Sequence, residues 1–286
     1  MKNYLIFRRY KTYVMRKHFL ISTLAVSLFV LGCATNPFTG QRTLALVPNT
    51  QLFPMSFQQY NQFLSENEVI HNTAEARMVK DVGERIAVAA EKYLKAHGYG
   101  DYLKEYKWEY TLVKSKDVNA WCMPGGKIVV YSGILPITQN EAGLAAVMGH
   151  EVAHALANHG QQRMSAAQIQ QLGAVAGNLV LANKPENQEL FNMAYGMGSN
   201  VGVMLPFSRS HESEADQIGL LLMAIAGYEP MAAADLWQRM QAQEKGTPPE
   251  FLSTHPSSNT RIANIRNWAP GIKEEAKKYG VVQFKR

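Results

Sequence analysis

The run His150-Glu151-Val152-Ala153-His154 constrains this chain more than any other feature. An α-helix advances about 100° per residue, so the two histidines stand one turn apart on one face. From there, two neutral imidazoles reach a single tetrahedral ion. Glu151 lies on the neighbouring stripe, where its carboxylate reaches a water at the ion rather than the ion itself. That division of labour suits metal-assisted hydrolysis of a peptide bond. The run sits on a plausible helix: Asn140 is a good N-cap and Glu141 suits the positive end of the dipole. Leu144, Val147, Met148 and Val152 then recur at three- and four-residue steps, as expected of a buried helix.

A catalytic zinc needs a third protein ligand and an open fourth position. A third histidine six residues beyond His154 is excluded, because Gly160 and Ala157 occupy the positions that such a longer motif spaces. His159 lies five residues beyond His154, about 140° away on a continuous helix, and reads as a helix C-terminal residue rather than a ligand. Ser208 to Asp216 offers a better candidate. Glu212 and Asp216, four apart, share a helix face while Glu214 points away and reads as solvated. Glu212 can bind the ion, and Asp216 can accept a hydrogen bond from a ligand histidine and fix its tautomer. Ile218, Leu220, Leu221 and Leu222 follow and imply a helix against the core.

The pairing of His150-Glu151-x-x-His154 with Glu212-x-x-x-Asp216 resembles peptidase family M48. That family includes prenyl-protein proteases, HtpX-like membrane proteases and periplasmic lipoprotein proteases. Three further stretches resemble it. They are Asn36 to Pro48, which begins Asn36-Pro37-Phe38-Thr39-Gly40, then Asn119 to Gly133, and Thr254-His255-Pro256 through Arg261-Ile262. The resemblance runs from about Asn36 to Trp268. It implies one zinc ion per chain on His150, His154 and Glu212. It also implies that the Asn119-Ala120-Trp121 strand is the sheet edge beside the cleft, and that His255 and Arg261 face the zinc. Either of these two residues can stabilise the oxyanion formed at a peptide carbonyl. His255 can instead occupy the fourth zinc position at rest, and both roles stay open for it.

The hairpin has physical content of its own. Pro124-Gly125-Gly126 is a turn signal, and Lys127 to Tyr131 reads as a strand. Pairing a substrate to a sheet edge holds it extended without reading its sequence. Trp121 is balanced between that edge role and ordinary core packing.

The N-terminus reads as an export signal. Met1 and Met15 can both start translation. From Met15 the chain continues with Arg16-Lys17, an apolar stretch from Phe19 to Leu31, and Gly32-Cys33. That stretch is short for a membrane span. Val30-Leu31-Gly32-Cys33 resembles a bacterial lipoprotein cleavage box with a bulky Leu31, so Cys33 is expected to carry the lipid anchor. Ala34 is not the aspartate associated with inner-membrane retention, and the outer membrane is the expected address by analogy. Residues 1–32 hold Lys2, Arg8, Arg9, Lys11, Arg16 and Lys17 and no acidic residue. The net charge of +6 therefore belongs to the signal, and the remaining 23 basic and 23 acidic residues balance. Nothing in that balance points to nucleic acid. With Cys33 lipidated only Cys122 remains, so no intrachain disulfide is expected.

These features divide the chain into a signal at 1–32, a Pro/Asn/Thr-rich tether at 33–56, and a metallopeptidase domain at 57–286. The expected fold is α+β, mostly helical and zincin-like, with one small β-sheet. Helices are expected near 75–97, 140–160, 162–183, 186–204, 210–226 and 230–244. In 164–205, Met193, Met197 and Met204 recur at roughly helical steps, and this segment is also a candidate lid. The leading reading is a zinc endopeptidase degrading misfolded or damaged envelope proteins. Its competitor is a lipid-anchored chaperone or scaffold, which would have no use for the base Glu151.

Overall fold

The computed structural model describes residues 33–166, 169, 205–243, 251, 255 and 259–286. The expected signal at 1–32, Met193, Met197 and Met204, and most of the candidate lid lie outside these residues. The described chain begins with β1 (Cys33–Thr35) and β2 (Arg42–Leu44), then α1 (Asn49–Glu66) and α2 (Ala74–Ala96). Strands β3 (Glu109–Val113), β4 (Ala120–Met123) and β5 (Lys127–Tyr131) follow. After a single 3-10 turn come α3 (Leu135–Thr138), α4 (Glu141–Leu156), α5 (Leu205–Ile225), α6 (Met231–Ala242) and α7 (Asn259–Lys277). The fold is α+β and mostly helical, with a three-stranded sheet. The β1–β2 hairpin is an addition to the single sheet expected.

Helix α4 is the axis of the core. The Asn140 side chain caps it by accepting a hydrogen bond from the Gly143 amide at 2.9 Å. Every residue from Ala142 to Leu156 is buried, as a helix apolar on all sides requires. Its last carbonyls have no partner within the helix, and side chains from elsewhere satisfy them. The Tyr102 hydroxyl donates to the Leu156 carbonyl at 2.7 Å, and Gln162 Nε2 donates to that of Ala157 at 2.8 Å. The helix stops where Asn158 takes φ 58°, a left-handed conformation that asparagine tolerates. Residues 159–166 then form a new helical segment in a different direction.

In the sheet, β5 lies between parallel β3 and antiparallel β4, with Ala120 opposite Val130 and Met123 opposite Lys127. Gly125 and Gly126, at φ 83° and 90°, make the turn between β4 and β5. Strand β4 is therefore an edge.

Residues 33–56, expected as a tether, instead fold. Strands β1 and β2 pair, α1 starts at Asn49, and Val47, Leu52 and Phe53 are buried. Polar residues dilute the apolar ones in this stretch, and Pro54 inside α1 reads as a helix breaker. Their partners, Phe57 and Tyr106, come from elsewhere in the fold. Helix α7 was also not anticipated. Pro270 lies inside it and reads as a breaker, although Ile262, Ile265, Ala269 and Ala276 recur on its buried side.

Helices α4 and α5 meet at a crossing that only glycine permits. A Cβ on Gly219 would lie 2.9 Å from the backbone C of Gly149 and from the amide N of His150. A Cβ on Gly149 would lie 2.9 Å from the Gly219 carbonyl oxygen. Backbone cannot rotate aside, so a side chain here separates the helices. Gly219→Ala is expected to destabilise the domain by about 1–3 kcal/mol, as overpacking does. It should also weaken zinc binding, because α4 and α5 carry different ligands. Urea unfolding and zinc competition titration on the same protein check both effects.

Candidate metal centre

Four side chains converge beside that crossing. His150 and His154 come from α4, Glu212 from α5, and His255 from the segment between α6 and α7. One ligand atom from each lies within 4.8 Å of all the others. His150 Nε2 is 3.1 Å from His154 Nε2 and 3.2 Å from His255 Nδ1. The Glu212 carboxylate reaches 3.2 Å from His154 Nε2, 3.3 Å from His150 Nε2 and 2.9 Å from His255 Nδ1. Ligands about 2.0–2.1 Å from one tetrahedral ion stand about 3.3–3.4 Å apart, so this donor set fits zinc in both kind and spacing. Glu151 Oε1 and Glu212 Oε2 are buried without a well-aligned hydrogen bond among the described residues, so both keep acceptor capacity at the centre. Glu151 stays out of the ligand set. Its Oε1 lies 3.4 Å from His255 Nε2.

A second layer braces the ligands. Asp216 Oδ1 is 3.1 Å from His150 Nδ1, the contact expected to fix that imidazole. Arg261 holds Asp216 in a fork, with Nε to Oδ2 at 2.6 Å and Nη2 to Oδ1 at 2.7 Å. Its Nη1 lies 3.1 Å from Glu212 Oε2, and its guanidinium carbon sits 3.5 Å over the Trp237 ring. The guanidinium thus holds the Glu212 and Asp216 carboxylates against the Trp237 face, and its Nη2 also lies 3.1 Å from His150 Nε2.

Two residues outside the ligand cluster have surroundings other than those expected. His159 is fully buried and turned back against the centre, its Nδ1 2.9 Å from His154 Nδ1. The break at Asn158 redirects it. Glu214, read as solvated, pairs with His159 and with the β1–β2 hairpin. The signal that pointed to both was small: an asparagine after the zinc-binding run, and polar residues in a supposed tether.

Residues 74–269 match the description "Peptidase family M48". The chain belongs to that family. Mitochondrial metalloendopeptidase OMA1 of Schizosaccharomyces pombe is 43% identical over 170 residues, covering 59% of this chain and 48% of that protein. Metalloendopeptidase OMA1, mitochondrial, of Bos taurus is 28% identical over 257 residues, 86% of this chain and 48% of its own length. Beta-barrel assembly-enhancing protease of Escherichia coli (strain K12) is 30% identical over 171 residues, covering 57% of this chain and 34% of that protein. The chain spans about half the length, or less, of these curated relatives.

The M48 centre opens on a cavity of about 270 Å³. Asn119, Ala120, Trp121 and Cys122 line one side, with Glu151, His154 and His255 at its base. The edge strand β4 thus borders the reactive groups. Trp121 combines both readings: its backbone belongs to this edge, while its ring packs edge-on against Phe63 and Tyr60.

Burial and electrostatics tune the groups apart. Burial pushes the Glu151 carboxyl up, only partly offset by the imidazoles of His255 and His150, which favours it as a base. Burial pushes His154 well down and keeps it neutral, as a ligand must be. Burial would also raise Glu212, but the charge and hydrogen bonds of the surrounding histidines outweigh it and hold the carboxylate ionised. For His150, burial and Arg261 act downward, yet Glu212 and Asp216 prevail and raise it to about 9. In the metal-free centre His150 is therefore expected to hold a proton at neutral pH, which zinc would displace. Zinc affinity is expected to rise about tenfold per pH unit from pH 6 and to level off near that value. Calorimetry in buffers of different ionisation enthalpy should count one proton released per zinc at pH 7; zero would contradict this assignment.

Proposed function

We propose that the chain is a zinc-dependent endopeptidase that cleaves misfolded or damaged cell-envelope proteins. The observation that carries the reading is the convergence of His150, His154 and Glu212 beside Glu151, next to the edge strand β4 of the described sheet. Zinc held there would supply Lewis acidity, making water acidic and polarising the scissile carbonyl. Strand β4 takes the substrate backbone as an added strand, which suits unfolded chains of varied sequence. Glu151 accepts the proton of the attacking water and returns it to the leaving amine. His255 holds the fourth position at rest, since its Nδ1 lies among the ligand atoms and its Nε2 faces Glu151. It must withdraw before substrate enters.

Stoichiometric zinc and casein hydrolysis by the chain without residues 1–32 test this directly. Glu151→Gln is expected to keep its zinc and lose turnover, whereas Glu212→Ala should lose zinc. Hydrolysis unaltered in Glu151→Gln would point elsewhere for the base, and zinc with no hydrolysis at all would favour the scaffold. His255→Ala should bind zinc more weakly yet cleave faster or cleave itself. A fall in kcat of about a hundredfold would instead make His255 the oxyanion donor.

The compartment rests on residues 16–33 rather than on kinship, because the relatives named above include mitochondrial and bacterial proteins. Among the described residues no helix is long and apolar enough to cross a membrane. In our reading Cys33 carries acyl chains that hold the protein at the periplasmic face of the outer membrane. Cys33→Ser is expected to release the protein from the membrane fraction or to leave an unprocessed precursor. Normal processing and unchanged fractionation in the mutant would exclude the anchor.

A further inference from the structure

Among the described residues no carboxylate pairs with the outer nitrogen of His154, unlike His150, whose Nδ1 faces Asp216 directly. Its Nδ1 meets His159 Nδ1 at 2.9 Å, and His159 Nε2 lies 3.2 Å from Glu214 Oε2. Glu214 Oε1 in turn accepts hydrogen bonds from Asn36 Nδ2 at 2.5 Å and Thr39 Oγ1 at 3.1 Å. His159 is fully buried, with the His211 ring stacked on it at 4.1 Å, and the Glu214 side chain is only 15% exposed. The loop that presents Asn36 and Thr39 is itself tied down. Asn36 Oδ1 accepts from the Phe38 amide at 2.9 Å, and the Asn36 amide donates to the Gln41 carbonyl at 2.8 Å.

We propose that His159 and Glu214, held by Asn36 and Thr39 of the N-terminal hairpin, are positioning residues that lock the tautomer of His154 and so set metal affinity. The inference rests on reading His154 as a metal ligand. With His159 as a neutral imidazole, donor and acceptor inventory sets the order. An ionised carboxylate only accepts, so His159 Nε2 must carry a hydrogen and donate it to Glu214. A neutral imidazole then has a bare Nδ1, which accepts. His154 Nδ1 must therefore be the donor, and that leaves its Nε2 lone pair aimed at the centre. The reverse polarity would put a hydrogen on His154 Nε2 and close it to a metal. Each ligand histidine is thus fixed by an α5 carboxylate, Asp216 directly for His150 and Glu214 through one intervening imidazole for His154. The hairpin residues hold Glu214 from the far side. This gives the segment directly after Cys33 a part in the metal centre.

The test uses His159→Ala, His159→Gln, Glu214→Gln and Asn36→Ala in the otherwise complete protein, with wild type in parallel. Zinc dissociation constants come from chelator competition, and the His154 tautomer in the metal-free protein from nitrogen NMR of the imidazoles. Loss of such an outer partner weakens metal binding about 10- to 100-fold, and that range is expected for His159→Ala. Glu214→Gln should also weaken binding, since an amide cannot accept from both His159 and Asn36 with both of its heavy atoms. Asn36→Ala should weaken it least. In His159→Gln the amide oxygen can accept from His154 and the amide nitrogen can donate to Glu214, so affinity should be partly restored. The Nδ1–H form of His154 should dominate in wild type and become mixed in His159→Ala. Wild-type zinc affinity in His159→Ala and Glu214→Gln would overturn the proposal. So would an unchanged His154 tautomer, or equal losses in the Ala and Gln variants of His159. A wild-type protein that binds no zinc would instead remove the metal reading itself, and the tautomer measurement would still judge the relay.

Discussion

The backbone contact of Gly149 with Gly219 decides where α5 can lie against α4. Two ligands on one helix define a line, and a tetrahedral ion needs donors off that line. The third donor must come from another helix, close enough for a glutamate side chain to reach past the first. With Gly149 and Gly219 in backbone contact, Glu212 sits within 3.3 Å of both histidines and Asp216 falls behind His150. A larger residue at either position would push α5 outward and carry both carboxylates away together. The crossing therefore sets the ligand geometry and the second layer in one contact.

Such a centre is costly for the fold without its metal. Glu151, Glu212 and Asp216 are carboxylates placed among buried groups, and desolvating charge is expensive unless it is paired. The protein compensates with one cation, Arg261, which forks onto Asp216, touches Glu212 and spreads its face over Trp237. Glu212 and Asp216 in turn favour the charged form of the His150 imidazole, against its burial. His255 packs into the same cluster, its Nδ1 3.2 Å from His150 Nε2.

Regular helices were legible in the sequence and departures from regularity were not. Asn140, the apolar steps through Val152 and the four-residue spacing of Glu212 and Asp216 all follow from an unbroken 3.6-residue period, and α4 and α5 obey it. His159 was misplaced because the same period was continued through Asn158, whose left-handed backbone ends the helix one residue too early for the arithmetic. Glu214 was misjudged for a different reason. Its face of α5 is solvated only if nothing covers it, and the covering element was the hairpin read as a tether. Helix α7 escaped notice because Pro270 and a polar exposed side hid a narrow buried stripe. Local periodicity carries the ligands on a helix, while long-range contacts decide what stands behind them.

The order of elements along the chain explains why those long-range contacts matter here. The base and two ligands lie on α4, the third ligand on α5, His255 and Arg261 later still, and the hairpin that reaches Glu214 lies before all of them. Contacts of such sequence separation form only when most of the domain has closed, since loop closure must be offset by many packed residues. The centre is therefore a product of the whole fold: Glu151 and the four clustered side chains meet only where elements spread along the chain have packed together. The same distribution means that a disturbance at the N-terminal hairpin is transmitted through Glu214 and His159 to a ligand, rather than being absorbed in a flexible leader.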